Sequence, residues 1–480
     1  MAKATESYKR IWLMLFFGWT FAYIDRTLTG PVVTWMIQNK VAFLGSAATP
    51  HALGGLLGSL FFAGYMLTQF PGGYFGDKFG YRTIIVISIA WAGLVTFLTG
   101  LTGGLVAFIG LRVLTGLGEG VWYSNDRSLV AQVTPPKELG LGLGLVMSGL
   151  GVGLTAGLVG TIYIIDGAKP FFGNDAWKAP FLILGTVTLC VAFLIKVNVA
   201  PRREGVVYPY GKALASLLKY STVFFLLIMG VYFLTAKLGL NDVGIAVALT
   251  ALALGLIAYI YSSKAKEIRP ILKDRNLVLL YLSAIPILWH LWFYGFWSIA
   301  VVKDFGGGAL GKAALVASFN GVAGLLGFPL GGLIGDRVAH RPNGRRNVLV
   351  LMTVGLTVLV CAFAGYLMSG GKSLVVMSAI LLVSGLVFFA LQSVNFALTA
   401  EAAPANLRGA AFGMWNLIAE IGAVLSPVIS GALRDATGGW AAPLFLDAAL
   451  IGVSAVFVTL VSTVPARASA AVPAPDISST

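Results

Sequence analysis

Long apolar segments, separated by short polar ones, make up most of the chain. A helix of about 20 apolar residues is long enough to cross the hydrocarbon core of a bilayer. We therefore predict an all-α membrane protein with fourteen transmembrane helices. The first six spans lie near residues 11–37, 52–75, 83–103, 105–130, 139–165 and 178–198, and the last six near 277–303, 310–334, 347–369, 373–400, 409–433 and 440–463.

Two further apolar spans lie between these sets, near residues 213–236 and 243–262, joined by the short turn KLGLND. Loops rich in Lys and Arg stay on the cytoplasmic side of a membrane. We expect this pair of spans to enter the membrane and return, because basic residues flank both of its outer ends. They are Arg202, Arg203 and Lys212 before the pair, and Lys264, Lys266, Arg269, Lys273 and Arg275 after it.

Four regions follow from this count of spans. The tail has the polar, Ala- and Pro-rich composition of a segment that cannot bury a core. The predicted regions are an N-terminal six-helix bundle (1–200), a linker with two extra helices (201–275), a C-terminal six-helix bundle (276–464) and a disordered tail (465–480).

Charge sets the predicted orientation. The net charge is +14, although only 11% of the 480 residues are charged and 58% are hydrophobic. In a soluble chain this excess would indicate nucleic-acid binding, but here the basic residues, Lys137 among them, concentrate in alternate loops. The start, MAKATESYKR, leads directly into an apolar span without a cleavage site. We therefore expect a multi-pass protein of a cell membrane, a bacterial inner membrane, with both termini cytoplasmic and no nucleic-acid partner.

Ionisable side chains occur in the fourth span, LVAFIGLRVLTGLGEGVWYSNDRSLV. Arg112, Glu119 and Asp126 recur every seven residues, which is nearly two helical turns, so all three share one face. Charges at membrane depth usually line a water-filled path or pair inside a bundle. We expect this face to point into the interior of the helix bundle, with the other helices packed around it.

A glycine-rich motif occurs twice, as FPGGYFGDKFGYRT (70–83) and FPLGGLIGDRVAHRPNGRRN (328–347). Internal symmetry of this kind is typical of transporters built from related halves. Asp77 and Asp336 occupy corresponding positions, and each acid can pair with basic residues and cap neighbouring helix ends. Asp77, Arg82, Asp336 and Arg337 are therefore candidates for an inner gate.

These motifs give the chain a resemblance to the major facilitator superfamily. The superfamily's fingerprint between its second and third helices is similar to Gly73, Gly76, Asp77, Lys78, Gly80 and Arg82. More narrowly, the chain resembles the anion:cation symporter family. The segment AYIDRTLTGPVV is similar to that family's aromatic-x-Asp-Arg signature, and RVLTGLGEGVWYSNDRSLVAQVTPP follows its Arg, its Gly-Glu-Gly and its trailing Pro.

The resemblance covers most of the twelve core helices. It implies the major facilitator fold and proton-coupled symport of a small organic anion, a carboxylate or sugar acid, by alternating access. The chain departs from the family where Asp126 and Arg127 follow the Gly-Glu-Gly segment, and at Glu420, where a neutral residue is usual. A chain of fourteen spans also resembles drug:proton antiporters, so a drug or lipid-like anion exporter is one alternative. A membrane sensor that keeps the fold and binds ligand without transporting it is another.

Candidate substrate-binding residues combine charge with helical spacing. Arg26 and Arg112 offer planar forks that match a carboxylate, the alternative being permanent salt bridges to Asp25 or Glu119. Tyr65 and Gln69 are four residues apart and share a helix face, although polar residues also join helices in membranes. Asn416 matches the family's pattern and completes the predicted binding set.

Candidate proton-coupling residues are Glu119, Asp25, Glu420 and His290. Glu119 lies between two glycines, and Arg112, two turns away, is its expected counter-charge. Glu420 is either a second proton site or the partner of Arg127 or His290. His290, in the segment WHLWFYGFW, is either a proton relay or a packing residue. We expect a monomer with no metal or cofactor site, and the sequence contains no enzyme motif.

Overall fold

A computed structural model describes residues 2–135, 139–199, 209–262, 265–404 and 407–462, and these residues form helices joined by short turns, without a strand. The predicted tail (465–480) and the basic residues Lys137, Arg202, Arg203 and Lys264 lie outside the described residues. Helix is the expected choice inside a bilayer, because it satisfies every backbone hydrogen bond within one segment.

In the N-terminal half, the described residues 2–135 and 139–199 form eight α-helices and a short 3₁₀ helix at Gly173–Lys178. Several helices begin earlier or end later than the apolar spans, because polar residues at the membrane surface continue the helix. The α-helices are α1 (Ala2–Asn39), α2 (Ala42–Gly45), α3 (Pro50–Phe79), α4 (Tyr81–Thr99), α5 (Leu105–Glu119), α6 (Trp122–Val133), α7 (Leu139–Phe172) and α8 (Ala179–Asn198).

The linker contains α9 (Tyr210–Lys237), α10 (Asp242–Ser262) and the short α11 (Ala265–Lys273). The C-terminal half, residues 275–462, contains α12 (Arg275–Gly306), α13 (Leu310–Val338), α14 (Gly344–Met368), α15 (Leu374–Ala402), α16 (Arg408–Thr437) and α17 (Ala441–Thr459).

Eleven stretches of the described residues are long and apolar enough to cross a membrane. One of them, Gly144–Asn198, contains most of α7 and all of α8, and α1 and α10 are not among the eleven. The eleven stretches confirm a multi-pass membrane protein. The count of fourteen spans stays a prediction.

The surface of the helices is apolar where lipid would surround it. Phe193, Leu351 and Val358 are mostly exposed. Such exposure would cause aggregation in water, but lipid tails are as apolar as leucine and solvate these side chains. The polar and charged side chains that are buried lie between the helices, which is where a site can form.

The most extensive contacts between the halves are those of α3 with α16, α7 with α13, and α1 with α12. We call the end at which α3 begins and α16 ends the outer end, following the predicted orientation. Small residues allow backbone contact there. A Cβ added to Gly55 would lie 2.2 Å from the carbonyl oxygen of Pro427, so no side chain fits between α3 and α16 at this point.

The linker helices pack on the same side of the molecule. α9 packs against α3, α4 and α5 of the N-terminal half, where its Ala213 and Leu217 join an apolar cluster with Phe75 and Ile84. α10 packs against α9 and also against α3 and α16, one helix from each half. The second linker helix therefore bridges the two halves.

Replacing Gly55 by Val should force α3 and α16 apart, since overpacking typically costs about 1–3 kcal/mol. We expect a lower melting temperature for the purified protein in detergent. Gly230→Val on α9 is the matched control, because an added Cβ there meets nothing within 4 Å. Equal melting temperatures for the two variants would show that the contact at Gly55 does not hold the halves together.

Candidate functional site

Helix α1 faces the charged residues of α5 and α6. The Nε of Arg26 donates to the Oε2 of Glu119 at 2.6 Å, and the Nη1 of Arg112 lies 4.0 Å from the Oδ2 of Asp25. Trp19 is also on α1, and its Nε1 donates to the Oδ2 of Asp126 at 2.6 Å. The three residues spaced by seven therefore all contact α1, which confirms the prediction that they share one face.

The predicted fourth span is interrupted between Glu119 and Trp122. Gly120 and Val121 form a turn there, but their φ angles of −61° and −78° stay in the right-handed helical region. A Cβ on Gly120 would lie 2.2 Å from the carbonyl oxygen of Tyr65, so the interruption coincides with close backbone contact to α3. Because the helical sense is kept, Glu119 and Asp126 still point toward α1.

Adjacent residues on α1 have different partners. Arg26 binds Glu119, while Asp25 accepts a hydrogen bond from the Oγ1 of Thr96 on α4 at 2.6 Å and lies beside Arg112. The sequence predicted that Arg112 is the counter-charge of Glu119, but the residue that forms an ion pair with Glu119 is Arg26. The reason is geometric, since two turns along one helix separate Arg112 from Glu119 by about 10 Å, whereas Arg26 approaches from the neighbouring helix.

Aromatic rings surround the Arg26 guanidinium. Its carbon lies 4.4 Å from the ring centre of Tyr65, 5.0 Å from that of Tyr23 and 5.6 Å from that of Trp19. Cation–π contacts of this kind stabilise a cation where water is excluded. Within the described residues, the buried Nη2 of Arg26 and Oε1 of Glu119 have no hydrogen-bond partner. The pair thus keeps one free donor and one free acceptor.

The C-terminal half supplies the opposite wall. Asn416 on α16 donates to the Oε1 of Gln69 at 2.9 Å and to the Oε1 of Glu420 at 3.4 Å. The ring of Trp292 on α12 stacks on Tyr23 with centres 6.0 Å apart. Glu420 is close enough to Arg26 to interact with it electrostatically. The structure therefore brings Arg26, Tyr65 and Gln69 together with Asn416 and Glu420 between the halves.

Arg112 and Asp25 lie within the N-terminal half. Arg112 is buried, its guanidinium carbon lies 4.8 Å from the ring centre of Phe61, and its described contacts are all to residues of that half. Asp25 and Glu119 line one small cavity with Ala22, Ser88 and Ile89. The two ion pairs are therefore neighbours, joined at this cavity by Asp25 and Glu119.

His290 lies in a separate place inside the C-terminal half. Its Nδ1 is 2.7 Å from the Oδ2 of Asp447 on α17, and both side chains are buried. The ring also packs against Tyr294 and Phe388. Glu420, a partner considered from sequence, is bound to Asn416 instead. Sequence reasoning missed Asp447, although an acid inside the apolar segment AAPLFLDAALIG was a signal.

The two glycine-rich motifs have different contacts. Asp77 accepts from the hydroxyl of Tyr81 at 2.6 Å, and Arg82 donates to the carbonyl of Lys196. In the second motif, Arg345 donates to Asp336 at 2.6 Å and also pairs with Glu401.

Arg337, predicted for this gate, is exposed and belongs to none of the described ion pairs. Asp336 is bound instead by Arg345, which lies in the first turn of α14 and reaches back across the connecting turn.

Contacts at the outer end were also missed from sequence. The Nδ1 of His51 lies 2.6 Å from the Oδ1 of Asp435, and the backbone N–H of Ala52 donates to the Oδ2 of the same carboxyl at 2.8 Å. Trp297 donates to the carbonyl of Pro427 at 2.8 Å. His51 and Asp435 are 384 residues apart in the chain, so no local pattern could have paired them. The bonds from His51 and Ala52 to Asp435 tie the halves at the outer end.

Comparisons with known proteins agree with this architecture. The family model described as "Major Facilitator Superfamily" matches residues 15–341 and, in a second match, residues 280–477. The probable sulfoacetate transporter SauU of Cupriavidus necator is 27% identical over 90% of this chain and 89% of its own length. The probable galactarate/D-glucarate transporter GudP of Bacillus subtilis is 24% identical over 89% of this chain and 86% of its own.

A solved structure shares the fold. A bacterial homologue of the human lysosomal transporter Spinster, in an inward-facing and occupied conformation, superposes with a TM-score of 0.66 at 14% identity, covering 95% of this chain and 97% of that one. The family match and the relatives point to a transporter and not to an enzyme. With matches that span both halves, the chain belongs to the major facilitator superfamily.

Proposed function

We propose that this protein is a proton-coupled symporter of a small organic anion, a carboxylate or sugar acid, and that it works by alternating access. The observation that carries the proposal is the buried Arg26–Glu119 pair, which lies opposite Asn416 and Glu420 of the other half. Two relatives have names that refer to organic acids, sulfoacetate and galactarate/D-glucarate, which supports an anionic substrate.

Arg26 can hold the anion because one side of its guanidinium is uncommitted. Its Nε is bound to Glu119 while Nη2 has no described partner. Two parallel N–H groups fix the orientation of a bound carboxylate and also stabilise its charge. Tyr65, Gln69 and Asn416 carry hydroxyl and amide groups around this position, and we propose that they bind the substrate's polar groups. Arg112 is proposed as a further anion contact that becomes available when Asp25 is protonated.

Proton coupling follows from competition for Arg26. In the substrate-free carrier the guanidinium holds Glu119 as a carboxylate. A substrate anion on the Nη2 side of Arg26 shares the guanidinium's positive charge with Glu119, so the carboxylate loses part of its counter-charge and Glu119 binds a proton. Linkage is reciprocal, and lowering the pH must then tighten substrate binding. Asp25, beside Arg112, is proposed as the second proton site in the same step, and Glu420 and His290 stay candidates for proton transfer in the C-terminal half.

Alternating access needs contacts that separate in turn. The outer-end bonds of His51 and Ala52 to Asp435 join the halves in this structure. We propose that they break when the site opens outward, and that Asp77, Arg82, Asp336 and Arg337 contribute to the inner gate. The proposed layout is two six-helix bundles and a linker pair, fourteen spans in all, in a bacterial inner membrane, with cytoplasmic termini and a monomeric carrier.

Uptake of labelled D-glucarate and sulfoacetate into proteoliposomes tests the function. An imposed inward proton gradient should drive accumulation above the external concentration. An equal sodium gradient without a proton gradient should not. Efflux under the inward proton gradient would instead indicate an antiporter, and binding without flux would indicate a sensor.

Arg26→Lys should weaken D-glucarate binding by about tenfold or more, because a point charge does not reproduce the bidentate fork. Calorimetric titration of the purified variant measures the change in affinity. Wild-type affinity in Arg26→Lys would make this arginine a structural counter-charge. The same titration of Arg112→Lys determines whether the second arginine contacts substrate, in which case its affinity also falls.

Glu119→Gln mimics the protonated acid. It should bind substrate and exchange it in counterflow, yet fail to accumulate it against a gradient, and its affinity should no longer rise as the pH falls. Asp166→Asn, at an exposed acid on α7, is the control and should behave as wild type. Concentrative uptake by Glu119→Gln would remove Glu119 from the coupling mechanism.

The fourteen-span layout predicts that Asn241, between α9 and α10, faces the outside. A single cysteine at position 241, in a background with Cys190 and Cys361 replaced by Ser, should react with a membrane-impermeant maleimide added to intact cells. Both native cysteines are exposed, so their removal is needed for a clean signal. Labelling only after lysis would contradict the proposed topology.

A further inference from the structure

A second arginine, Arg127 on α6, shares an aromatic neighbour with Arg26. Its guanidinium carbon lies 5.4 Å from the ring centre of Trp19 and 3.7 Å from that of Tyr123. The guanidinium carbon of Arg26 lies 5.6 Å from the same Trp19 ring. The two guanidinium carbons can therefore be no further apart than the sum of their distances to the Trp19 ring centre. The two guanidiniums are therefore close enough for one small molecule to reach both.

Arg127 is partly exposed, whereas its counter-charge, Asp126, is buried. Its side chain is 29% exposed, whereas that of Asp126 is 1% exposed and is fixed by the N–H of Trp19. The Oδ1 of Asp126 lies 3.2 Å from the Nη1 of Arg127, on the buried side of the guanidinium. An anion can thus approach the exposed side of Arg127 without displacing Asp126.

The hydrogen bonds of Arg127 leave one nitrogen weakly bound. Nη1 donates to Asp126 and to the carbonyl of Tyr123, but Nη2 donates to the thioether sulfur of Met147 at 3.1 Å. A thioether is a weak acceptor, while an ionised oxygen forms a stronger, charge-assisted bond. Replacing the sulfur by an anionic oxygen is therefore favourable, which is not the behaviour of a fully satisfied structural arginine.

The position also faces the proposed substrate site. The ring centre of Trp19, which both arginines contact, lies 5.5 Å from that of Tyr23, and Tyr23 stacks on Trp292 of the opposite wall.

We propose that Arg127 forms a second anion subsite beside Arg26, so that the preferred substrate is an organic acid with two anionic groups, one on each arginine. The proposal rests on the proposed function, because Arg26 must hold the first group. The chemistry it selects is a dicarboxylate or a carboxylate–sulfonate of a few carbons. A monoanion of the same length would leave Arg127 with its thioether contact.

Binding of matched acids to the purified full chain tests this assignment. D-Glucarate and D-gluconate share a six-carbon chain and differ in one carboxylate, and sulfoacetate and sulfoacetamide differ in the same way. Wild type should bind the dianion of each pair at least about tenfold more tightly than the monoanion, the effect expected for one charged hydrogen-bonded contact. Arg127→Gln should remove this preference by weakening the dianion, with the affinity for the monoanion changed by less than about twofold.

Arg341→Gln provides the matched control, since it removes an exposed arginine from a turn of the C-terminal half and should keep the wild-type preference. An equal fall in affinity for both acids in Arg127→Gln, or an unchanged preference, would overturn the second subsite. Wild-type protein gives a test that needs no variant. If it binds monoanion and dianion equally, the subsite is wrong while the organic-anion function stands, and if it binds none of the four acids, both proposals are wrong.

Discussion

A guanidinium buried between transmembrane helices needs an anion beside it, and most features of the site follow from that requirement. Arg26 and Arg112 are both buried, and each lies beside an acid on a neighbouring helix. Removing one partner of such a pair leaves an uncompensated charge, which is far more costly than the pair is stabilising. A carrier of anions can use this constraint, because substrate and internal carboxylate compete for one cation. In the proposed mechanism the empty site is electrically balanced, the bound anion adds a negative charge, and the coupled proton neutralises it.

Sequence reasoning predicted the shared face but did not assign the pairings. Salt bridges of Arg26 and Arg112 to Asp25 or Glu119 were one alternative, and the sequence could not decide which arginine binds which acid. The seven-residue spacing of Arg112, Glu119 and Asp126 is a property of one helix, so elementary geometry was sufficient. That Glu119 pairs with Arg26 depends on how α1 crosses α5, which is a tertiary property. The same holds for Arg345 at Asp336 and for Asp447 at His290. Internal symmetry located the second gate motif. Its acid, Asp336, is bound by Arg345, and symmetry with the first motif did not predict this partner.

The halves contribute unlike chemistry to their common boundary. The N-terminal half presents cations, with Arg26 and Arg127 both beside Trp19. The C-terminal half presents the amide of Asn416, the acid of Glu420 and the indole of Trp292. Under the proposed function, the N-terminal half binds the substrate's charge and the C-terminal half closes over the ligand. The repeated glycine-rich motif indicates a related backbone, while the functional side chains differ between the repeats.

The linker helix α10 touches α3 and α16, one helix from each half. In the proposed alternating access the outer ends of α3 and α16 separate, and α10 then cannot keep its contacts with both, so it slides along one of them. Lipid tails replace a helix neighbour without a hydrophobic penalty, and this movement therefore costs van der Waals packing alone. The balance between open and closed outer ends then depends on how well the surrounding acyl chains fill the gap beside α10. Under the proposed alternating access, the inserted pair therefore makes the conformational equilibrium responsive to the composition of the surrounding bilayer.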